Sequence, residues 1–168
     1  MRRALIITVI VVAMLAIAAV AVGKTPFVKQ PTPEKVTYEH IDALNECDVP
    51  RLMAQYPESI EIIVPGGGEF IGRDAVEELF EGFCLPYDEE GLNGLEFTEI
   101  RSTTVHKTVN MQWSADACFL RNPYLGADAY ETWSGLMAAQ VTTFDGAELD
   151  TIPVDELSDD CRTELGID

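Results

Sequence analysis

Residues 109–119 alternate strictly between apolar and polar side chains, and this pattern decides the fold class more than any other feature of the chain. A period of two is that of a β-strand with one buried and one solvated face, which is typical of antiparallel sheets. Further strands are predicted around it without helical patterns between them. The predicted strands cover residues 95–105, 109–120, 130–144 and 149–154, with a tight turn at Asp145-Gly146.

Three helices and a short hairpin are predicted before these strands. Thr32 and Asp48 are favourable N-cap residues, and each is followed by a proline that the first turn of a helix tolerates. The predicted elements are a helix from Pro33 whose apolar face extends to Cys47, a short helix after Asp48, strands at 60–64 and around Phe70, and a third helix from Arg73 to about Phe83. Helices grouped before a run of strands predict an α+β fold rather than alternating βαβ units.

The N-terminal segment carries an export signal. Arg2 and Arg3 precede an unbroken apolar run over residues 4–22, and an Ala-x-Ala cleavage site lies at 19–21, which is typical of a signal peptide. The run also approaches the roughly 20 residues that a helix needs to cross a bilayer, so an uncleaved membrane anchor stays open. Both interpretations export the remainder of the chain. We therefore expect an extracytoplasmic protein, either secreted or periplasmic, or anchored in the membrane only through residues 4–22.

Acidic residues dominate the charge of the chain. Asp and Glu number 29 against 11 Lys and Arg, which gives a net charge of −18. A field of that sign repels phosphate backbones and anionic headgroups, so it excludes nucleic-acid binding and docking on anionic lipid. Composition divides the sequence into the signal peptide or anchor 1–23, a proline-rich linker 24–33, one domain 34–154 and an acidic C-terminal tail 155–168.

The four cysteines, Cys47, Cys84, Cys118 and Cys161, are widely spaced and form no C-x-x-C pair. No histidine lies at metal-ligand spacing from them, and no zinc-protease or calcium-loop motif occurs, so we predict no metal and no cofactor. In an oxidising compartment their even number predicts two disulfides. Four buried thiols are the alternative.

Three phrases in the sequence resemble a known superfamily. They are YEHIDALNECDVPRLMAQYP at residues 38–57, FIGRDAVEELF at 70–80 and VTTFDGAELD at 141–150. In this order and spacing, the stretch from Tyr38 to about Val154 resembles the nuclear transport factor 2-like superfamily, in particular its SnoaL-like branch. The resemblance implies a cystatin-like, cone-shaped antiparallel sheet that wraps around the three helices and forms a ligand pocket, here preceded by the N-terminal hydrophobic helix. It also implies that homodimers are common.

The resemblance assigns three positions that carry catalysis in the ketosteroid isomerases of this superfamily. Val64 stands where the isomerases have an acidic base, Gln140 where they have a second acid, and His40 where they have a tyrosine. Valine cannot abstract a proton, so the isomerase mechanism is not expected. His40 lies on the apolar face of the first helix and should point inward, where it could act as a general acid or base with Asp116 or Gln140. A core histidine with one hydrogen bond is the alternative.

Large apolar side chains are candidates for a ligand-binding wall: Trp113, Trp133, Met137 and Val64. Plain core packing is the alternative for the aromatic ones. In the topology that the resemblance implies, the third helix ends beside the 109–120 strand, so we expect Cys84 to pair with Cys118 and Cys47 with Cys161.

The predicted function is therefore non-catalytic binding of a small apolar ligand, or of a protein partner, in or on the cone. The alternative is a cofactor-free lyase, isomerase or hydrolase of the polyketide cyclase or ketosteroid isomerase type that uses His40 with Asp116 or Gln140. Fold alone does not decide between them, because this superfamily contains both enzymes and binding domains.

Overall fold

The computed structural model describes residues 24–167. The signal peptide or anchor predicted at residues 1–23 lies outside the described residues. Among residues 24–167, none of the helices has the length and apolar character required to span a bilayer.

The three predicted N-terminal helices are confirmed. They are α1 (Pro33–Asn45), α2 (Val49–Met53) and α3 (Arg73–Phe83). The Thr32 hydroxyl accepts a hydrogen bond from the Lys35 amide at 3.3 Å, and the Asp48 carboxylate accepts one from the Arg51 amide at 3.0 Å. Both caps satisfy amide groups that the first helical turn leaves unpaired, so each helix begins where its cap residue places it.

Six strands form one open, curved sheet. They are β1 (Glu61–Val64), β2 (Gly68–Ile71), β3 (Glu96–Val105), β4 (Thr108–Asp116), β5 (Tyr124–Trp133) and β6 (Leu136–Thr142). Their order is β2-β1-β6-β5-β4-β3, and all neighbours are antiparallel except β1 and β6. Register shifts near Glu99 in β3 and Glu131 in β5 mark β-bulges, which bend strands. Helix α1 packs across β3, β4, β5 and β6, so the predicted α+β fold with a curved sheet around helices is confirmed.

The apolar face of β4 points toward the helices. Met111 and Trp113 on that face are buried, whereas Asn110 and Gln112 on the other face are exposed. Gly126 on β5 pairs with Trp113, and a Cβ atom there would lie 2.3 Å from the indole ring. The absence of a side chain at Gly126 therefore lets the Trp113 indole ring pack against the backbone of β5.

The C-terminal strands differ from the prediction. Residues 130–144 do not form one strand, because Ser134 and Gly135 take positive φ angles of 54° and 81° and turn the chain from β5 into β6. Strand β5 begins at Tyr124, before the predicted start at residue 130. Residues 149–154 contribute only one isolated bridge, between Thr151 and Leu120, and β4 ends at Asp116.

Both terminal segments lie against the domain. Of the predicted linker 24–33, residues 24–32 form an N-terminal strap: the Val28 amide donates to the Ala54 carbonyl at 2.7 Å and the Gln30 amide to the Gly135 carbonyl at 2.9 Å. The predicted acidic tail contains helix α4 (Asp159–Leu165). Cys161 in this helix is buried, so the segment packs on the domain instead of extending from it.

All four cysteines form disulfides, as predicted, but the predicted pairing is wrong. Cys47 bonds Cys84, and Cys118 bonds Cys161. The C-terminal ends of α1 and α3 are adjacent, which brings Cys47 and Cys84 to a Cα–Cα distance of 5.4 Å. The C-terminal segment returns along the residues after β4, where the Ile152 amide donates to the Phe119 carbonyl at 2.8 Å, and this places α4 beside Cys118.

Candidate ligand-binding cavity

A cavity of about 110 Å³ lies between α1, α3 and the inner face of the sheet. Its wall is mainly apolar and aromatic, and its polar groups come from the middle of α1 and from the paired strands β5 and β6. An enclosed apolar pocket with a few converging polar groups is the usual form of a small-molecule site. The apolar wall includes Ile41, Leu44, Leu79, Phe80, Phe83 and Phe144.

Asp128 is the only carboxylate among the residues that line this cavity. It is 8% exposed, and its Oδ2 accepts hydrogen bonds from the Tyr130 hydroxyl at 2.8 Å and from Gln140 Nε2 at 3.0 Å. Burial raises the pKa of Asp128, because desolvation disfavours the charged form, and the donated hydrogen bonds oppose that shift. A buried carboxylate with a shifted pKa in a cavity is a candidate for proton transfer.

His40 projects from the middle of α1 into the same cavity and is 1% exposed. Its Nδ1 lies 2.8 Å from the Tyr56 hydroxyl, and its ring centroid is 5.5 Å from that of Tyr130. Burial lowers the pKa of His40 to about 3, so the imidazole is neutral at physiological pH.

Three buried polar atoms of the cavity-lining residues have no hydrogen-bond partner within the described residues. They are His40 Nε2, Asp128 Oδ1 and Gln140 Oε1. Buried polar groups in folded proteins are normally satisfied, and each exception calls for an explanation. All three residues line the same cavity, so a molecule bound there is a candidate to complete their hydrogen bonding.

The structure brings together some of the predicted site residues and separates others. His40, Gln140 and Val64 line the cavity. Asp116 does not contribute to it, because the apolar face of β4 is the inner one and Asp116 lies exposed on the opposite face. Trp133 is also outside, 62% exposed, with the Lys107 ammonium 3.5 Å above its ring.

Trp113 and Met137 occupy the core rather than the cavity wall. Trp113 packs edge-on against Phe97 at a centroid distance of 5.1 Å and also contacts Tyr124 and Phe144. Met137 is fully buried. Both residues therefore support the sheet on which the cavity is built and do not line the cavity itself.

Sequence reasoning missed Asp128 and Tyr130. Asp128, Tyr130 and Thr132 occupy alternate positions of β5 and are all buried, so a period of two was present in the sequence. It was not recognised because Asp128 lies before the predicted start of that strand. A strand assigned from Tyr124 onward would have placed the Asp128 carboxylate on the inner face of the sheet.

Comparisons with known proteins identify the fold. The sequence matches no protein-family model and no curated protein. A nuclear transport factor 2-like protein of unknown function from Cytophaga hutchinsonii is similar in structure, with a TM-score of 0.56 and 15% identity over 70% of this chain and 94% of that one. A polyketide cyclase, assigned as putative, from Sinorhizobium meliloti has a TM-score of 0.55 and 12% identity over 65% and 94% of the two chains.

A third similar structure is the epoxide hydrolase/cyclase-like enzyme SalBIII, described by its role in pyran ring formation in the polyether salinomycin. Its TM-score is 0.57, with 14% identity over 71% of this chain and 95% of that one. At these identities the similarity establishes the fold and leaves the chemistry to be argued from the cavity.

Proposed function

We propose that this chain, which has the nuclear transport factor 2-like fold, binds a small and largely apolar molecule in the cavity between α1, α3 and the sheet. The observation that carries the proposal is that three residues with an unpartnered buried polar atom, His40, Asp128 and Gln140, line one largely apolar cavity. An apolar cavity of about 150 Å³ accommodates benzene. The present cavity, at about 110 Å³, is smaller, so we expect a ligand no larger than one small ring with a single oxygen-containing substituent.

Two features support an extracytoplasmic site of action. The described residues hold two disulfides, which persist in oxidising compartments and are rare in the cytosol. The apolar run over residues 4–22 is the kind of segment that exports a chain or anchors it to the membrane. Both features favour a ligand met outside the cytoplasm.

Binding can be tested with phenol, toluene and cyclohexanone as probes, followed by ligand-observed NMR. Leu79→Phe adds volume to the cavity wall, whereas Ile100→Phe adds the same ring type at a position that is 58% exposed and outside the cavity. We expect Leu79→Phe to weaken probe binding at least about tenfold, since filling a pocket displaces the ligand, and Ile100→Phe to leave it unchanged. Equal binding by both variants would place the probes elsewhere and reject the cavity.

Proton-transfer catalysis in the same cavity is a second candidate, favoured by Asp128. Its Oδ2 accepts from Tyr130 and Gln140, and burial raises its pKa. Its Oδ1 has no hydrogen bond of standard geometry, although the Thr142 and Trp113 side chains lie close enough to lower the pKa in part. Such a carboxylate is suited to remove a proton from a carbon next to a carbonyl group. The neutral His40 imidazole is the candidate group for stabilising the resulting enolate oxygen. Two structural neighbours carry the names of enzymes, a polyketide cyclase and an epoxide hydrolase/cyclase-like enzyme.

Exchange of the α-protons of cyclohexanone in D₂O, followed by NMR, distinguishes the two candidates. An enzyme should accelerate the exchange, and Asp128→Asn should abolish the acceleration because the amide cannot accept the proton. Asp116→Asn is the matched control, since Asp116 is exposed on the outer face of β4. A wild-type protein that binds the ketone without accelerating exchange is a binding protein, and persistence of catalysis in Asp128→Asn would exclude Asp128 as the base.

A further inference from the structure

Tyr56 lies behind His40, outside the cavity. Its hydroxyl is 2.8 Å from His40 Nδ1, and the two side chains are 0% and 1% exposed. Its ring is stacked on that of Phe80 with an angle of 4° between the planes and 5.9 Å between the centroids. The aromatic packing fixes the direction of the Tyr56 hydroxyl, which makes this hydrogen bond a stable part of the core.

The direction of this hydrogen bond determines which nitrogen of His40 carries the proton. Nδ1 is the one hydrogen-bond partner of the Tyr56 hydroxyl among the described residues. If Nδ1 donated instead, the hydroxyl hydrogen of Tyr56 would be buried without an acceptor, which is costly. Tyr56 therefore donates to Nδ1, and the hydrogen of the neutral imidazole lies on Nε2.

We infer that Tyr56 is a positioning residue that sets the hydrogen-bonding character of the cavity: it holds His40 as the Nε2–H tautomer, so that the lining residues offer one N–H donor together with oxygen acceptors. The acceptors are Asp128 Oδ1 and Gln140 Oε1, because Gln140 uses its Nε2 group to donate to Asp128. This inference rests on the proposed function of the cavity and specifies the class of ligand that the cavity recognises.

The matching ligand carries an oxygen that accepts from His40 and a hydroxyl that donates to Asp128 or Gln140. Hydroxylated cyclic ketones and hydroxylated lactones have both groups on a compact ring, and the single hydroxyl of a phenol both accepts and donates. Amines and ammonium ions lack the oxygen acceptor. A hydrocarbon of the same size packs against the apolar wall but leaves the three polar atoms without hydrogen bonds, so the cavity should bind it more weakly.

The tautomer can be observed directly by long-range ¹H–¹⁵N NMR of the histidine rings. The chain contains two histidines, and the exposed His106 is removed with His106→Gln. We expect Nε2 of His40 to show the shift of a protonated nitrogen and Nδ1 that of an unprotonated acceptor. Tyr56→Phe should populate the Nδ1–H tautomer, whereas Tyr124→Phe, which removes a hydroxyl outside the cavity, should not change the His40 spectrum.

Probe binding gives an independent readout. We expect phenol to bind the wild-type protein at least about threefold more tightly than toluene, as one or two net hydrogen bonds provide, and Tyr56→Phe to reduce that ratio. A wild-type His40 protonated on Nδ1, or a Tyr56→Phe spectrum identical to the wild type, would overturn the inference. Failure of both probes to bind would overturn the proposed function instead, and the NMR spectra alone would then decide the role of Tyr56.

Discussion

His40 keeps a neutral imidazole inside the core, and this links stability to pH. Its pKa is about 3 in the folded protein against an ordinary value of 6.5, so the unfolded chain binds the extra proton between these values. Stability is therefore present above pH 6.5 and is lost as the pH falls toward 3. At pH 4 the loss from this one group is about 3 kcal/mol.

Removing the imidazole should reduce this acid sensitivity. We expect His40→Gln to lose about 3 kcal/mol less than the wild type between pH 7 and pH 4, measured by urea unfolding at both pH values. His106→Gln is the control, because His106 is exposed. Equal pH dependence in the wild type and His40→Gln would show that His40 titrates normally in the folded state.

The two central residues of the cavity differ in how far the sequence predicts them. The spacing of Val36, His40 and Leu44 on α1 places His40 on the inner face of a helix, because residues four apart share a face. Asp128 could be placed only with the correct start of β5. A carboxylate in a short sequence such as Ala-Asp-Ala-Tyr is more often solvated than buried, so composition alone predicts an exposed Asp128.

At the scale of elements, the Cys47–Cys84 disulfide joins the ends of the two helices that form one wall of the cavity. Cys47 follows Leu44 by about one turn and Cys84 follows Phe83, and both Leu44 and Phe83 line the cavity. The other disulfide lies at α4. The bonded cysteines are 37 and 43 residues apart, so chain entropy predicts a similar stabilisation of about 4 kcal/mol for each.

Replacing each disulfide by a pair of serines separates its effect on the stability of the protein from its effect on ligand binding. We expect Cys47→Ser with Cys84→Ser, and Cys118→Ser with Cys161→Ser, to lower the thermal midpoint by comparable amounts. Only the first pair should weaken phenol binding, because only that pair releases the cavity wall. Calorimetry and ligand titration measure the two effects. Equal weakening of binding by both pairs would show that the cavity responds to global stability rather than to the positions of α1 and α3.

The fit of Trp113 to β5 gives a second prediction at this scale. A Cβ at Gly126 would lie 2.3 Å from the Trp113 ring, so Gly126→Ala should destabilise the protein by about 1–3 kcal/mol and change the tryptophan fluorescence. Gly82→Ala is the control, because the new methyl group meets no atom within 4 Å and lies in α3, where alanine is favoured by about 0.5–1 kcal/mol. A Gly126→Ala variant of wild-type stability would contradict the close packing described for β5.

Elements were predictable where local chemistry determines them. The capped helices α1 and α2 follow from Thr32 and Asp48, and β4 follows from its alternation. The β5–β6 hairpin was missed because the residues on both sides of Ser134-Gly135 have the composition of one continuous strand. Helix α4 was missed because its seven residues have too little apolar surface to show a helical period, and the Cys118–Cys161 bond holds it in place.

For the molecule as a whole, Arg73 connects the N-terminal strap to the domain. Its guanidinium is 4% exposed, donates to the Thr25 carbonyl at 2.6 Å and to the Met53 carbonyl at 2.7 Å, and lies 4.9 Å from the ring centroid of Phe27. Lys24 at the start of the strap makes only exposed ion pairs, with Glu58 and Asp74. Buried charge-assisted hydrogen bonds stabilise more than exposed ion pairs, so Arg73 should hold the strap.

Limited proteolysis tests this role. We expect Arg73→Leu to accelerate trypsin cleavage after the exposed Lys29 on the order of tenfold or more, because local opening of the strap loses its strongest contact. Lys24→Gln should change the rate by less than about threefold. Cleavage after Arg101 in β3 reports global unfolding. If both sites become labile together in Arg73→Leu, the arginine stabilises the whole domain and not the strap in particular.

Contacts between segments that lie far apart in the sequence were the least predictable feature of the fold. The order of elements and the fold class followed from periodicity and from the resemblance of three phrases. The disulfide pairing depends on how the residues after β4 return along the domain, and no local pattern records that path. The composition of the proline-rich residues 24–32 likewise does not indicate whether this segment packs against the domain or extends from it.

The docked strap also determines where Lys24 lies relative to the cavity. A free proline-rich peptide of that length would extend over roughly 28 Å, at about 3.1 Å per residue, and would let the domain reorient. Here the chain is held from Lys24 through Gln30 by contacts with Glu58, Ala54 and Gly135. Residues 24–30 therefore tumble with the domain as one body, and Lys24 keeps a constant position relative to the cavity.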